Sequence, residues 1–116
     1  MNYMGLTIED VRQMALSLSE VEEHEHWDRP SFRVKGKIFL TLWPVEQRAV
    51  LKLAPDVQGE LIKEEPNVYS AVSGAWGQRG YTNARLQCVE AEEFTTVVEM
   101  AWRQVAPQRL NNPGHK

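Results

Sequence analysis

The stretch RPSFRVKGKIFLTLWPVEQRAVLKL, residues 29–53, decides the fold. Apolar and polar residues alternate along most of it, which is typical of strands with one buried face. Lys35 and Gly36 interrupt the alternation, and a two-residue connection ending in glycine is typical of a tight hairpin because its turn requires positive φ. A second interruption around Pro44 precedes another alternating run. The stretch therefore predicts an antiparallel meander with one apolar and one cationic side.

Helical periodicity flanks this meander. Apolar residues recur at helical spacing near 7–18, 55–64 and 91–105, which predicts an N-terminal helix, a short middle helix and a C-terminal helix. Thr7 can cap the first helix because Asp10 follows it at the spacing of a capping box. The last helix carries acids in its first turn and a base in its last, which suits the helix dipole.

Two further strands are predicted near 68–71 and 81–89, on either side of a glycine-rich segment. The pattern indicates an α+β fold in which helices pack on an antiparallel sheet. We expect residues 1–110 to form one domain and residues 111–116 to form a disordered tail.

Composition bounds the class of protein. Of the 116 residues, 42% are apolar and 25% are charged, as in ordinary globular domains. No apolar run approaches the roughly 20 residues that span a bilayer, and no secretory signal opens the chain. The one cysteine, Cys88, cannot form an internal disulfide. We therefore expect a cytoplasmic protein in which Cys88 is a buried, inert thiol within a strand.

Charge is unevenly distributed along the chain. The net charge is −3, yet residues 1–28 are strongly acidic and residues 29–52 are strongly basic. Such a block often does no more than solvate a strand face. Cations interleaved with aromatic rings are also what nucleic-acid binding requires, because the cations neutralise phosphates and the rings stack on bases. The candidate DNA-binding residues are Arg29, Arg33, Lys35, Lys37, Arg48, Lys52, Arg79 and Arg85.

The segment GAWGQRGYT, residues 74–82, brings glycines next to aromatic rings. It lacks the Gly-Lys-Ser/Thr ending of a P-loop, and a strand follows it where a dinucleotide fingerprint needs a helix. Two interpretations remain open. Trp76 either plugs the edge of the core while the glycines permit a tight bend, or it stands out with Arg79 as a stacking tip. The candidate loop and pocket residues are Trp76, Gly77, Gly80 and Tyr81.

A third pattern is the set of His24, His26 and Asp28. On a strand these side chains project from one face, and two imidazoles with a carboxylate resemble a zinc or non-haem iron site. An exposed polar strand face explains the same pattern without a metal. No nucleophile elbow accompanies Ser31, so we expect no catalytic residue. The glycine-rich segment fails the tests for a nucleotide site, and we expect no cofactor.

Several motifs together resemble the MmcQ/YjbR family. They are Pro30-Ser31-Phe32-Arg33-Val34 running into Gly36-Lys37-Ile38-Phe39, then Leu51-Lys52-Leu53, Ala75-Trp76-Gly77, Gly80-Tyr81-Thr82 and the closing Ala101-Trp102-Arg103-Gln104-Val105-Ala106-Pro107. The resemblance implies a compact YjbR-like domain with a bent antiparallel sheet and helices on one face. That architecture has been compared with frataxin-like (CyaY-like) and double-wing DNA-binding folds, and it brings no catalytic residues.

These observations lead to three functional hypotheses. The first is a DNA-binding module that uses the basic sheet surface and performs no catalysis. The second is a module that binds a protein or a small ligand in a pocket between the Trp76 loop and the sheet, lined by Trp76, Tyr81 and Arg85. The third is a metal site at His24, His26 and Asp28.

Overall fold

The computed structural model describes residues 5–26 and 29–111, without the side chains of His26 and Asn111. Within these ranges the chain forms six strands and five helices. In chain order they are α1 (Ile8–Leu16), β1 (Glu22–His26), β2 (Arg29–Val34), β3 (Lys37–Trp43), β4 (Arg48–Lys52), α2 (Pro55–Glu64), β5 (Tyr69–Ala71), α3 (Ala75–Gln78), β6 (Tyr81–Arg85), α4 (Ala91–Val105) and α5 (Gln108–Asn111).

The strands form one bent antiparallel sheet in the order β1-β2-β3-β4-β6-β5. Helix α4 crosses β2, β3 and β4, while α1 packs on α4 and α2 packs beside β5. The core lies between the sheet and these helices, and α4 buries its apolar stripe there, from Phe94 to Trp102. The result is a two-layer, single-domain α+β fold, as the sequence predicts.

Local sequence explains where the helices begin. The Thr7 hydroxyl accepts a hydrogen bond from the Asp10 amide at 3.0 Å, and the Thr7 amide donates to the Asp10 carboxylate at 2.9 Å. This is the capping box that the sequence predicts, and it satisfies amides that have no partner within the helix. The Glu90 carboxylate does the same for α4 by accepting from the amides of Glu92 and Glu93. The bounds of α2 and α4 agree with those predicted.

The β2–β3 hairpin turns at Lys35 and Gly36, whose φ angles are 49° and 81°. Positive φ at both positions is the conformation that a tight two-residue hairpin requires. The register shifts between Phe32 and Arg33, which is a β-bulge. One consequence is that the adjacent residues Phe39 and Leu40 are both buried.

Three local predictions are wrong. Strand β6 ends at Arg85 rather than Val89, and a turn over 86–88 follows it. Cys88 therefore lies in a turn and is half-buried instead of being enclosed in a strand. The short helices α3 and α5 lie in segments where no helix is predicted, because a single turn carries too few residues to show a period. The predicted tail lies outside the described residues except for Asn111.

In the described part of the chain, none of the helices has the length and apolar character needed to cross a membrane.

Candidate binding surface on the sheet

The candidate site is the side of the sheet opposite α1, α2 and α4, which we call the outer face. Its composition follows from strand register, because paired residues in neighbouring strands point to the same side. Ser31 pairs with Thr41, so two residues further along the antiparallel pair Arg29 lies beside Trp43. Trp43 pairs in turn with Arg48, and Arg48 pairs with Arg85. One row of this face, crossing four strands, is thus cationic and aromatic: Arg29, Trp43, Arg48 and Arg85.

The next row along the strands is made of smaller side chains. Pairing links Thr41 to Val50, Val50 to Asn83 and Asn83 to Ser70. On the far side of this row, Lys52 pairs with Tyr81, and the Lys52 ammonium lies 5.8 Å from the Tyr81 ring centroid. Small residues between two rows of large ones make a trough in the middle of the outer face.

Trp43 is held between two guanidinium groups. The Cζ of Arg29 lies 3.4 Å from the centroid of the Trp43 ring, and the Cζ of Arg48 lies 4.0 Å from it. Two guanidinium groups this close to one centroid would overlap if they shared a face of the ring, so they lie on opposite faces. Each contact is a cation–π interaction. The stack fixes the orientation of all three side chains.

Arg48 has further partners that orient it. Its Nη1 donates a hydrogen bond to the Asn83 side-chain oxygen at 2.6 Å, and its Nη2 lies 3.4 Å from a carboxylate oxygen of Glu46. Asn83 in turn donates to the Ser70 hydroxyl at 3.3 Å. Arg48 is therefore a rigid, partly neutralised cation, whereas the exposed Arg85 has a freer charge.

The glycine-rich segment borders the trough and contains α3. A Cβ on Gly77 would lie 1.9 Å from the Val72 carbonyl oxygen, and one on Gly80 would lie 1.8 Å from the Leu53 carbonyl oxygen. These contacts show that the glycines let α3 lie directly against the neighbouring backbone. Gly77 occupies the buried side of this turn, so Trp76 is directed outward and is 56% exposed. The interpretation of Trp76 as a plug in the core is wrong.

Trp76 nonetheless has defined neighbours. Its ring meets the Tyr81 ring edge to face, with centroids 5.0 Å apart and an interplanar angle of 82°. The Arg79 guanidinium carbon lies 5.7 Å from the Trp76 centroid. An exposed indole held in place by a second ring and a cation is a preformed surface for contact with a flat group.

A hollow of about 310 Å³ lies where these groups meet. Val50 and Val72 supply apolar contacts, and the remaining walls are aromatic or cationic. The lining residues are Trp43, Arg48, Val50, Val72, Trp76 and Tyr81. The predicted pocket at the Trp76 loop is present, but Arg48 lines it where Arg85 was expected.

The other predicted bases are placed at the margin of this face. Arg33 is on the outer face, where its Nε donates to the Ser31 hydroxyl at 3.3 Å. Lys35 is in the hairpin turn, and Lys37 pairs with the buried Val34, so Lys37 emerges toward the helix side at the tip of the sheet. The predicted cationic side of the hairpin is therefore correct for Arg33, whereas Lys35 and Lys37 form a basic tip.

Two acidic residues of the described chain lie at the outer face: Glu46, which contacts Arg48, and Glu22. Glu22 faces Arg33 across β1 and β2, at the edge of the sheet. Glu23 instead accepts a hydrogen bond from Arg12 of α1 at 2.8 Å, which places it on the helix side. Exposed acids are numerous on the helices, where they are Glu9, Asp10, Asp56, Glu60, Glu64 and Glu92. The acidic net charge of the chain is thus concentrated away from the basic face.

The histidine set is only partly within the described residues. His24 Nε2 lies 3.1 Å from a carboxylate oxygen of Glu22. Asp28 and the side chain of His26 lie outside the described part of the chain. Among the residues that are described, no group of three or more His, Cys, Asp or Glu side chains is arranged to hold a metal ion. The metal hypothesis remains a prediction on sequence alone.

A pair of carboxyl groups lies on the helix side, where α2, β5 and α4 meet. A hydrogen bond with Glu93, burial and the nearby charges of Glu93, Glu64 and Glu90 raise the pKa of Glu65 to about 7. The Tyr69 hydroxyl donates to Glu93 at 3.3 Å, and burial together with the Glu93 charge raises the pKa of Tyr69. This pair lies on the side of the sheet opposite the outer face and bears on stability.

Sequence reasoning did not select Trp43, Val50, Val72 or Asn83 as site residues. The signal for Trp43 was present, because the alternation Thr41-Leu42-Trp43 places Trp43 opposite a core leucine and therefore on the cationic side. For Val72 and Asn83 no comparable signal exists, since their positions depend on how β5, α3 and β6 meet.

Fold and surface together define a class: a small α+β protein with a six-stranded antiparallel sheet, helices on one side and an aromatic, cationic surface on the other. A family comparison makes this more specific. The YjbR family model matches residues 16–104. The chain belongs to the YjbR family.

Comparison with solved structures agrees on the fold. The crystal structure of Deinococcus radiodurans protein DR2400, which has a DUF419 domain, is similar with a TM-score of 0.72 at 20% sequence identity. The similarity covers 85% of this chain and 77% of that chain. No curated protein matches the sequence.

Proposed function

We propose that this protein is a DNA-binding module without a catalytic step, and that it binds through the outer face of the sheet. The observation that supports this most is the row of Arg29, Trp43, Arg48 and Arg85, which places three guanidinium groups and one aromatic ring side by side across four strands. Arg29 and Arg85 offer cations to phosphates, Arg48 and Trp43 hold the row in place, and the exposed Trp76 ring beside the row can contact bases or sugars.

Charge separation supports the same proposal. A chain with a net charge of −3 attracts DNA poorly as a whole. In this fold the acids are concentrated on the helices, so a phosphate chain approaching the outer face meets mainly Arg29, Arg33, Lys52 and Arg85. The local potential, rather than the net charge, governs such an encounter. The proposal places the protein in the cytoplasm, where Cys88 remains a thiol.

A charge-reversal pair tests the surface. Lys52→Glu with Arg85→Glu reverses two bases that line the trough without contributing to the core. Lys63→Glu with Arg103→Glu makes the same change in net charge on the helix side and serves as the control. Fluorescence anisotropy with labelled DNA is expected to show affinity reduced by about tenfold or more for the first pair, because phosphate contacts are lost, and little changed for the control. Each lost contact should also reduce the salt dependence by about one unit.

The salt dependence provides an internal check. With roughly four phosphate contacts, binding is expected to weaken about a hundredfold between about 50 and 200 mM salt. Equal affinity for the first pair, the control and the unmodified protein would rule out the outer face as the DNA site.

A second candidate function is the binding of a small flat ligand in the hollow alone. The apolar floor and aromatic walls of that 310 Å³ space favour it, because ligand pockets are commonly apolar with few polar groups. Under this alternative, DNA binding would be absent, and ligand binding would depend on Trp76 but not on Lys52 or Arg85.

A further inference from the structure

We infer that the DNA or RNA bound at the outer face is single-stranded, with one unpaired base entering the hollow beside Trp76. The inference rests on the proposed DNA-binding function and specifies the form of its ligand. It follows from the shape of the hollow, from the position of the long helices and from the placement of the cations around the opening.

The hollow suits a planar heterocycle. Its volume of about 310 Å³ is at the small end of ligand pockets, and its walls are two indoles, a phenol ring and a guanidinium over an apolar floor. Both faces of Trp43 are already covered by guanidinium groups, so the ring available for stacking is Trp76. A base stacked on a protein ring is tolerant of sequence, because every base has a π-face.

A duplex cannot present an unpaired base to the hollow without being opened. Its bases are paired and stacked, and a base reaches a pocket only by extrusion from the helix, which costs unstacking energy. A protein that reads an intact duplex usually places a helix or a ribbon in a groove. The helices α1, α2 and α4 lie on the other side of the sheet and the basic tip of the β2–β3 hairpin lies at its margin, so neither enters a groove from this face.

The bases around the opening are arranged for a backbone that passes over the trough. Lys52 lies by Tyr81 on one side, Arg79 lies over Trp76, and Arg85 continues the row beyond Arg48. Arg48 itself is held by Asn83 and Glu46, so it serves as a fixed wall of the hollow more than as a phosphate contact. Stacking in the trough with cations at its rim is the arrangement that single-strand binding proteins use.

The test compares three labelled probes by anisotropy at one salt concentration: oligothymidylate of about 12 nucleotides, oligouridylate of the same length and a duplex of the same length. Thymidylate and uridylate distinguish DNA from RNA as the source of the strand. We expect the single strands to bind more tightly than the duplex. Trp76→Ala should weaken single-strand binding about tenfold, and Trp76→Phe should restore most of it, since stacking needs a ring.

Two further variants serve as a negative control and as a second test of the hollow. Met100→Ala removes an exposed apolar side chain on α4 and should leave every affinity unchanged. Val72→Phe fills the hollow while retaining Trp76, so it should weaken single-strand binding even if Trp76→Ala proves unstable.

Each failure has a separate meaning. Duplex binding that equals or exceeds single-strand binding, with no effect of Trp76→Ala or Val72→Phe, would overturn the single-strand inference and leave the proposed DNA-binding function standing. The absence of binding to all three probes at low salt would overturn both.

Discussion

Trp43 illustrates how a single residue organises the surface. Its ring fixes Arg29 and Arg48, and these connect β2, β3 and β4 on the outer face. Partly buried cation–π contacts contribute on the order of 1 kcal/mol each. Because the two guanidinium groups already face the ring, Trp43 acts as a support, and Trp76 is the indole that remains available to a ligand.

Gly80 is the residue at which a small change should cost most. Its φ is +104°, and an added Cβ would overlap the Leu53 carbonyl oxygen. We expect Gly80→Ala to lower the free energy of unfolding by about 3 kcal/mol or more, because backbone strain and a steric clash act together. Urea denaturation followed by circular dichroism measures this.

Gly59 provides the matched control. It lies within α2, and a Cβ there would meet nothing within 4 Å. Gly59→Ala should be neutral or stabilise the protein by about 0.5–1 kcal/mol, since alanine has the better helix propensity. Similar effects at both glycines would contradict the close approach of Gly80 to the Leu53 carbonyl.

At the scale of elements, the junction of α2, β5 and α4 makes stability depend on pH. The pKa of Glu65 is raised from its ordinary value to about 7, first by the hydrogen bond with Glu93. The folded state therefore holds a proton that the unfolded state releases near pH 4.5. The stability contributed by this proton is present in full below the unfolded value and is lost as pH rises to about 7.

Removing the partner should flatten this dependence. Glu93→Gln keeps the shape of the side chain and eliminates one carboxylate, so we expect a higher melting temperature than the unmodified protein at about pH 8 and a smaller difference between about pH 5 and pH 8. Glu92→Gln, in the same turn of α4, is the control. Identical pH profiles for Glu93→Gln and the unmodified protein would contradict the coupling of Glu65 and Glu93.

Elements with long periodic patterns could be predicted from the sequence, and short ones could not. The capping box at Thr7 predicted α1, and the apolar stripe from Phe94 to Trp102 predicted α4. The Lys35-Gly36 pair predicted the hairpin. The helix α3 could not be predicted because its conformation depends on how closely Gly77 and Gly80 approach other segments of the backbone, which is tertiary information. The full lining of the hollow could not be predicted for the same reason, since the hollow forms where segments distant in sequence meet.

At the scale of the whole molecule, the two layers carry opposite charge. Acids are concentrated on the helices and bases on the open face of the sheet, so the block of charge seen along residues 29–52 becomes a surface through strand pairing. A molecule of this kind orients itself toward a polyanion before contact, and this effect weakens with salt.

The most direct test of the central claim is to map where nucleic acid binds by NMR. Titration of ¹⁵N-labelled protein with oligothymidylate, observed by amide and indole chemical shifts, is predicted to shift Trp43, Trp76, Lys52 and Arg85 most and to leave α2 and α4 nearly unchanged. Higher salt should reverse these shifts. Shifts concentrated on α2 and α4, or no shifts at low salt, would contradict the account.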